Sequence, residues 1–595
     1  MIVLLFCLLV AGATIPASLA YFSPHLIRER AAGDGAGIVA GTLAVLTWLA
    51  MRPRLPLAVT LSEWPEAALL PPWNWRVDAV TWHVTGVVLL LTLAALLVAS
   101  GKRQAAGNGE QYRLSTRTLP PAAYLFLLAA ATLAALWADS LAGMLAGWML
   151  LAVVWAATLW LAGDYRANVA SWLLRVGWLL ASLFALWLGA AGEPGVASPP
   201  TNSWPATATT ALLLAASLQM GVWPLSAWRP LDNNQLAPAA AAMIHVLPTV
   251  AGAGLLARLM AGGSVNMAYT LLLTAWALLG CLRSVRLAWA HLQEPAGMAA
   301  ALALVQTSII LLAGVWAGPA AVIAEVRVLV LAVGMLFLVD GRPVTRTKWW
   351  RAIGPMVAVA ALAGLPFTAG FAGRAALYDA WLANDRFVLV LVAALLHVPL
   401  VAAVLLLLWP RSKVARSGDR PQPGAEVARS GERPERGGVD SAEDRFLGGP
   451  RNDSDKWLEE RGDRFLGGPR NDSVGDRVAG TAGKAIVYEA GLLLAALGLL
   501  SPGGLGQADP VTWLALGAAA AAGFVLSRFI GEVREARAAL RQAFTVNLPL
   551  EAIVVTLRRL GQGMKAVLGE AVLILEGEGG LLWLLVLVVV FWLAL

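Results

Sequence analysis

Ionisable side chains set inside long apolar runs are where this sequence could do chemistry, because a charge within a bilayer costs several kcal/mol and by default marks a functional site. Arg175, His245, Arg258, Glu325, Arg327, Arg374 and Asp379 qualify, with Asp139 at the edge of another run. Around His245 the chain reads MGVWPLSAWRPLDNNQLAPAAAAMIHVLPTVAGAGLLARL, in which Pro224 and Pro230 interrupt a predicted helix and leave backbone carbonyls free beside it. A second interruption lies in AGLPFTAGFAGRAALYDAW, where Pro366, Gly370 and Gly373 lead directly to Arg374. Broken helices in a membrane line polar paths, so two of them, each beside a buried basic group, point to ion or proton translocation.

Each of these residues also has a plainer reading. His245 fits a hydrogen-bonded core histidine between helices. Arg374 fits a partner for Asp379 or a cap on carbonyls at the Pro366 break. Glu325 and Arg327 fit a pair near a span end, with Arg327 snorkelling to the interface.

Other chemistries find no residues to perform them. Cys7 and Cys281 are the two cysteines, far from each other, and His25, His83, His245, His291 and His397 show no ligand spacing. No haem, zinc, iron–sulfur or other cofactor is expected. The strings GAGIVA, GAGLLA and GQGMKA match a loose dinucleotide pattern without the strand that gives it meaning, and small-residue helix packing explains them. A net charge of +7 sets membrane topology here, and nucleic acid is excluded as a partner.

The elements that must position these residues are membrane helices. Of 595 residues 59% are hydrophobic and 14% charged, against roughly 25% charged in a soluble domain. Apolar runs long enough to cross a bilayer recur about sixteen times, at about 20 residues each, so the fold class is an all-α polytopic membrane protein. The chain divides into N-terminal transmembrane helices over 1–117, a core over 118–410, an insertion over 411–480, further helices over 481–529, amphipathic helices over 530–578 and a closing helix over 579–595. The insertion is polar, holds 28 of the 81 Lys, Arg, Asp and Glu residues, and repeats DRFLGGPRNDS; it is read as a disordered cytoplasmic loop rather than a docking segment. Leu550, Ile553, Val554, Leu557 and Leu560 beside Arg558 and Arg559 predict a helix lying along the membrane face. Arginines and lysines favour the odd-numbered loops, which puts both termini outside a cytoplasmic (inner) membrane crossed many times. The first run, without a basic leader, is expected to be retained as a helix.

An ordered set of motifs then resembles a known family, the antiporter-like subunits of respiratory complex I and of Mrp-type cation/proton antiporters. WPLSAW followed by MIH resembles that family's FPFHxWLP and SALIH, and LPFTAGFAGR resembles LPPLxGFFSK. WRVDAVTW, ADSLAGMLAGWML and LLRVGW, the last containing Arg175, resemble its DGLS, ADNLLxLFxxWEL and RVGD segments, and ALVQTSII places Gln306 on the glutamine of SQLGY. The resemblance implies two inverted repeats, each with a broken helix, meeting around Gln219 and Arg374. It also implies a proton path through buried lysines and a glutamate, yet the family's glutamate falls on Met149, one lysine on Gln219 and another on Arg374. Met149 and Gln219 carry no charge, and Arg374 holds a fixed positive field without releasing a proton. His245, with an ordinary pKa of about 6.5, retains an exchanging group at its motif position. The implied function is a non-redox membrane subunit of a complex I-like NADH:quinone oxidoreductase or an Mrp-type assembly. The alternative is a non-conducting scaffold, such as the membrane partner of an inorganic-carbon uptake system. Expected partners are other membrane subunits and the lipid bilayer.

Overall fold

The computed structural model describes residues 1–22, 27–62, 73–105, 120–162, 206–223, 225–228, 237–262, 267–292, 294–339, 353–408 and 508–530, with isolated positions in 177–187 and at 494. The insertion over 411–480, the amphipathic stretch over 530–578 beyond its first residue, the closing run over 579–595, Arg175 and nearly all of the run near 483–501 lie outside the described residues.

Helices dominate. In chain order they are α1 (Ile2–Phe22), α2 (Ile27–Met51), α3 (Ala79–Ala105), α4 (Pro121–Trp137), α5 (Leu141–Ala162), α6 (Ala206–Met220), α7 (Pro238–Gly262) and α8 (Met267–Ala290). They continue as α9 (Pro295–Ala317), α10 (Pro319–Val339), α11 (Ile353–Leu362), α12 (Ala369–Ala383), α13 (Phe387–Leu408) and α14 (Pro510–Ile530). Proline opens α4, α7, α9, α10 and α14, the position where its missing N–H and fixed φ do no harm. Among the described residues nine helices are long and apolar enough to cross a membrane, and four apolar stretches are shorter, including α11.

One element corrects the all-helical reading. β1 (Leu57–Ser62) and β2 (Trp73–Val77) pair antiparallel, Leu57 opposite Val77, and Asp139 donates its backbone N–H to the Asn74 carbonyl at 3.0 Å. The hairpin thereby seals the turn between α4 and α5. Its strands are too short for alternation to show in the sequence, and Trp73–Val77 runs directly into an apolar helix that masks it.

The helices sort into an inner set and a shell. The apolar stretches of α7 and α10 are each 94% buried, whereas those of α1 and α14 are each 33% buried. Helices apolar all round are expected at the centre of a membrane bundle, and equally on its lipid-facing rim. Indole groups tie the layers together: Trp48 and Trp82 stack at 4.6 Å and each donates to the other's carbonyl, at 2.8 and 2.9 Å, locking α2 to α3.

Both helix breaks read from proline are present. α6 stops at Met220 and the chain passes through Gly221, at φ 68°, to a single 3-10 turn at Leu225–Trp228. The run read as one span over 352–372 is two helices, α11 and α12, joined by 363–368. Gly370 permits that join, since a Cβ there would sit 1.8 Å from the Ala361 carbonyl oxygen.

This contact generates a test. Gly370→Ala should cost about 1–3 kcal/mol through forced displacement of the α11 backbone. Gly517→Ala on α14, where an added Cβ meets nothing within 4 Å, should change stability by less than about 0.5 kcal/mol. Thermal unfolding in mild detergent, followed by tryptophan fluorescence, reads both; equal midpoints would show that the join has room to spare.

Candidate functional site

Proline removes a donor from the helix ladder and leaves the carbonyl four residues earlier without its partner. At three buried positions four residues before a proline, a side chain supplies the donor. At Met220, where α6 ends, the carbonyl oxygen accepts from Thr249 Oγ1 at 3.2 Å. Pro248 orphans Ile244, whose oxygen accepts from Trp155 Nε1 at 3.1 Å. Pro366 orphans Leu362, and here the donors are ionisable: Arg374 Nη1 and, at 2.6 Å, His397 Nε2.

Around Leu362 the backbone turns elsewhere. The N–H groups of Ala363, Gly364 and Leu365 go to Val359, Ala361 and Ala360, so none reaches the Leu362 oxygen. Gly364, at φ 65°, makes the turn, and Thr368 Oγ1 caps α12 by accepting from the Phe371 N–H. That cap starts α12 with Arg374 on its buried face, 2% exposed.

Arg374 is the hub. Its Nε stands 3.8 Å from Glu325 Oε1 on α10, and its Nη1 is 2.9 Å from His397 Nε2 on α13. Gln306 of α9 donates to Glu325 Oε2 at 2.5 Å and to the Glu325 backbone carbonyl at 3.1 Å. Gly373 makes space for the carboxylate, because a Cβ there would lie 2.5 Å from Glu325 Oε1. Among the described residues Arg374 Nη2 and Glu325 Oε1 have no hydrogen-bond partner, so the pair is held by charge with part of its capacity unspent.

Magnitudes show that this pair is not there for stability. Two unit charges about 4 Å apart attract by about 4 kcal/mol at an effective dielectric of 20. Desolvation costs several kcal/mol for each ion. The attraction therefore offsets less than the full cost, and the Gln306 and Leu362 contacts make up part of the remainder.

A cavity of about 40 Å³ borders the hub, lined by Arg374, His397, Tyr378 and Cys281 among apolar side chains of α8, α9 and α13. At about 10–15 Å³ per water it has room for two or three.

The remaining sequence-read residues fall elsewhere. Gln219, 2% exposed at the end of α6, accepts from Ser182 Oγ at 2.9 Å. His245 is fully buried on α7 and stacks on Phe337 of α10, centroids 5.0 Å apart. Phe337 and Glu325 are separated by three turns of α10, about 18 Å at 1.5 Å per residue, so Gln306, Glu325 and Arg374 form one centre while His245 belongs to another. Met149 is 40% exposed on α5 and joins neither.

Two pairings depart from those read in the sequence. Glu325 pairs with Arg374 instead of Arg327, whose Nη2 meets His83 Nδ1 at 2.9 Å rather than snorkelling. Asp379 accepts from Thr512 Oγ1 at 2.5 Å and from the Asp509 N–H at 3.3 Å, joining α12 to α14 instead of pairing with Arg374. Arg258 caps α4, donating to the carbonyls of Leu136 and Ala138, a favourable site for a cation at a helix C-terminus. His397 was missed: a lone histidine in AALLHVPLV, it satisfied the rule for buried ionisable groups but had no ligand spacing. Among the described residues no group of three or more acidic, histidine or cysteine side chains could hold a metal ion.

No protein-family model matches the chain, and no curated protein does. Solved structures do match. A chain of the Mrp complex from Dietzia sp. DQ12-45-1b aligns with a TM-score of 0.65 at 18% identity, covering 100% of this chain and 63% of that one. The protein thus spans less than two thirds of the Mrp chain's length. A chain of the membrane-bound sulfane sulfur reductase, an archaeal respiratory membrane complex, aligns with a TM-score of 0.60 at 16% identity over 99% of each chain. A chain of respiratory complex I from Thermus thermophilus aligns with a TM-score of 0.52 at 19% identity, covering 83% of this chain and 97% of that one. The fold is shared with all three, and complex I and Mrp assemblies are the ones whose subunits the ordered motifs resemble.

The hub sets a test by double-mutant cycle. Arg374→Gln should destabilise the protein by about 3–5 kcal/mol, because it strands the Glu325 charge. Adding Glu325→Gln should recover at least half of that loss, read as the thermal midpoint in detergent. Additive losses would mean that the two side chains do not share a charge balance.

Proposed function

We propose that the chain is a membrane subunit of a complex I-like or Mrp-type assembly and takes part in proton or cation/proton translocation. The observation that carries this reading is the buried Glu325–Arg374 pair, seated at a broken helix and held with hydrogen-bonding capacity to spare. A carboxylate inside a membrane that keeps a fixed cation beside it is able to gain and lose a proton while the cation stays. Gln306 orients the carboxylate, and Gln219 and His245 are the polar positions proposed for the first half of the path, with Arg175 a further candidate. Redox chemistry, where the assembly has any, belongs to other subunits.

The wider reading is consistent with this role. We assign about sixteen transmembrane helices in two inverted repeats centred on Gln219 and Arg374, a cytoplasmic membrane location with both termini outside, and a cytoplasmic insertion over 411–480. The partition into 1–117, 118–410, 411–480, 481–529, 530–578 and 579–595 belongs to the same proposal. Companion subunits identify the assembly by their chemistry: flavin or iron–sulfur proteins for a respiratory one, small hydrophobic antiporter proteins for an Mrp-type one.

A non-conducting scaffold, as in an inorganic-carbon uptake system, has one observation in its favour. Neither Met149 nor Gln219 carries charge, so the first half has no buried cation at its motif position.

Flux decides between the two. In proteoliposomes of the assembly purified from native membranes, a pH-sensitive dye should report proton movement that falls at least tenfold with Glu325→Gln. Arg374→Lys, which keeps the charge, should preserve or raise it. Flux unaffected by Glu325→Gln would remove the pair from the path, and no flux with the unaltered protein would favour the scaffold.

A further inference from the structure

Two side chains, Arg374 and His397, meet at the Leu362 carbonyl, and His397 belongs to neither the family motifs nor the Glu325–Arg374 pair. Arg374 Nη1 carries two hydrogens, enough to serve both the Leu362 oxygen and a bare His397 Nε2 at 2.9 Å. Alternatively Nε2 carries the hydrogen and donates it to the Leu362 oxygen at 2.6 Å. The two arrangements exclude each other, because the guanidinium hydrogens are fixed in its plane and a hydrogen on Nε2 leaves that nitrogen no lone pair for Arg374. With the hydrogen on Nε2 the ring caps the Leu362 oxygen and its Nδ1 is left bare.

In that tautomer Nδ1 is the ring nitrogen able to take a proton. Nδ1 makes no hydrogen bond among the described residues, and His397 lines the cavity that has room for two or three waters. The ionisable groups facing this ring are Arg374 directly, Glu325 across Arg374, and Tyr378 and Cys281 on the cavity wall. Arg374 holds its proton permanently and cannot pass one on, so between Glu325 and the cavity the imidazole is the group able to exchange.

We propose that His397 is a proton-exchanging residue at the second helix break, and that the cavity walled by Cys281 and Tyr378 is its water port. A hydronium in the cavity gives its proton to the Nδ1 lone pair and becomes water, while Nε2–H stays on the Leu362 oxygen. Release reverses the step, a cavity water taking the Nδ1 proton. The resulting imidazolium stands beside Arg374, and the Glu325 carboxylate on the far side of the guanidinium is the one negative charge of the cluster, so the loaded state carries a net +1 and is short-lived. Loading at His397 is thus tied to the charge on Glu325 with no proton crossing Arg374. This inference rests on the translocation reading above.

The test separates the two. His397→Gln places an amide N–H near the Nε2 position, keeping the donor to Leu362 while removing the exchangeable ring, and co-purification with companion subunits checks that it folds. Its proton flux in proteoliposomes should fall about tenfold relative to the unaltered assembly. Cys281→Leu, which fills the cavity with an apolar side chain, should reduce flux to a similar extent in an assembly that still co-purifies with its companion subunits. Full flux with His397→Gln, in an assembly whose unaltered form conducts, would reduce His397 to a carbonyl cap and overturn the proposal while leaving the translocation reading intact. Full flux with Cys281→Leu would overturn the water port. Absence of flux from the unaltered assembly would instead defeat the translocation reading itself.

Discussion

A carbonyl oxygen without a donor is tolerable in water and costly in hydrocarbon, and in this protein proline creates that situation repeatedly. Met220, Ile244 and Leu362 each lie four residues before a proline, and each oxygen is met by a side chain from elsewhere in the bundle. At the first two the donors are a threonine and a tryptophan, which satisfy the oxygen and do nothing more. At Leu362 the donors are Arg374 and His397, so repairing the backbone brings charge into the interior of the bundle.

Much of the second half of the structure depends on that requirement. Arg374 demands a counter-charge, which Glu325 provides; Glu325 demands an orienting donor, which Gln306 provides. Gly373 and Gly370 leave room for the carboxylate and for the close approach of α11 to α12. His83 and Arg327 form a separate contact between α3 and α10, and Asp379 bonds the N-terminus of α14. Polar groups are thus grouped pairwise across helices, as burial in a low dielectric requires.

The sequence disclosed the breaks more clearly than the pairings. Proline and glycine act locally, so the interruptions near Gln219 and Arg374 were legible from their own residues. Partners across helices were not, although helical geometry ruled out two of the local ones. Glu325 and Arg327, two apart, point to different faces, and Arg374 and Asp379, five apart, diverge in the same way. The motif resemblance pointed to the fold that the solved structures share, yet it directed attention to Met149, which is partly exposed, and away from His397, which matches no motif. The β hairpin escaped because six residues of alternation next to a long apolar run carry little signal.

The Leu362 oxygen, four residues before Pro366, holds Arg374 inside the bundle, between Glu325 and His397. An electron cryomicroscopy map of the assembly in lipid, resolved well enough to place side chains, tests it most directly. The account requires Arg374 density that contacts both the Leu362 carbonyl and His397, with Glu325 within about 4 Å of the guanidinium, the span of an ion pair. Arg374 extended toward a membrane surface, with the Leu362 oxygen met by some other donor, would contradict it.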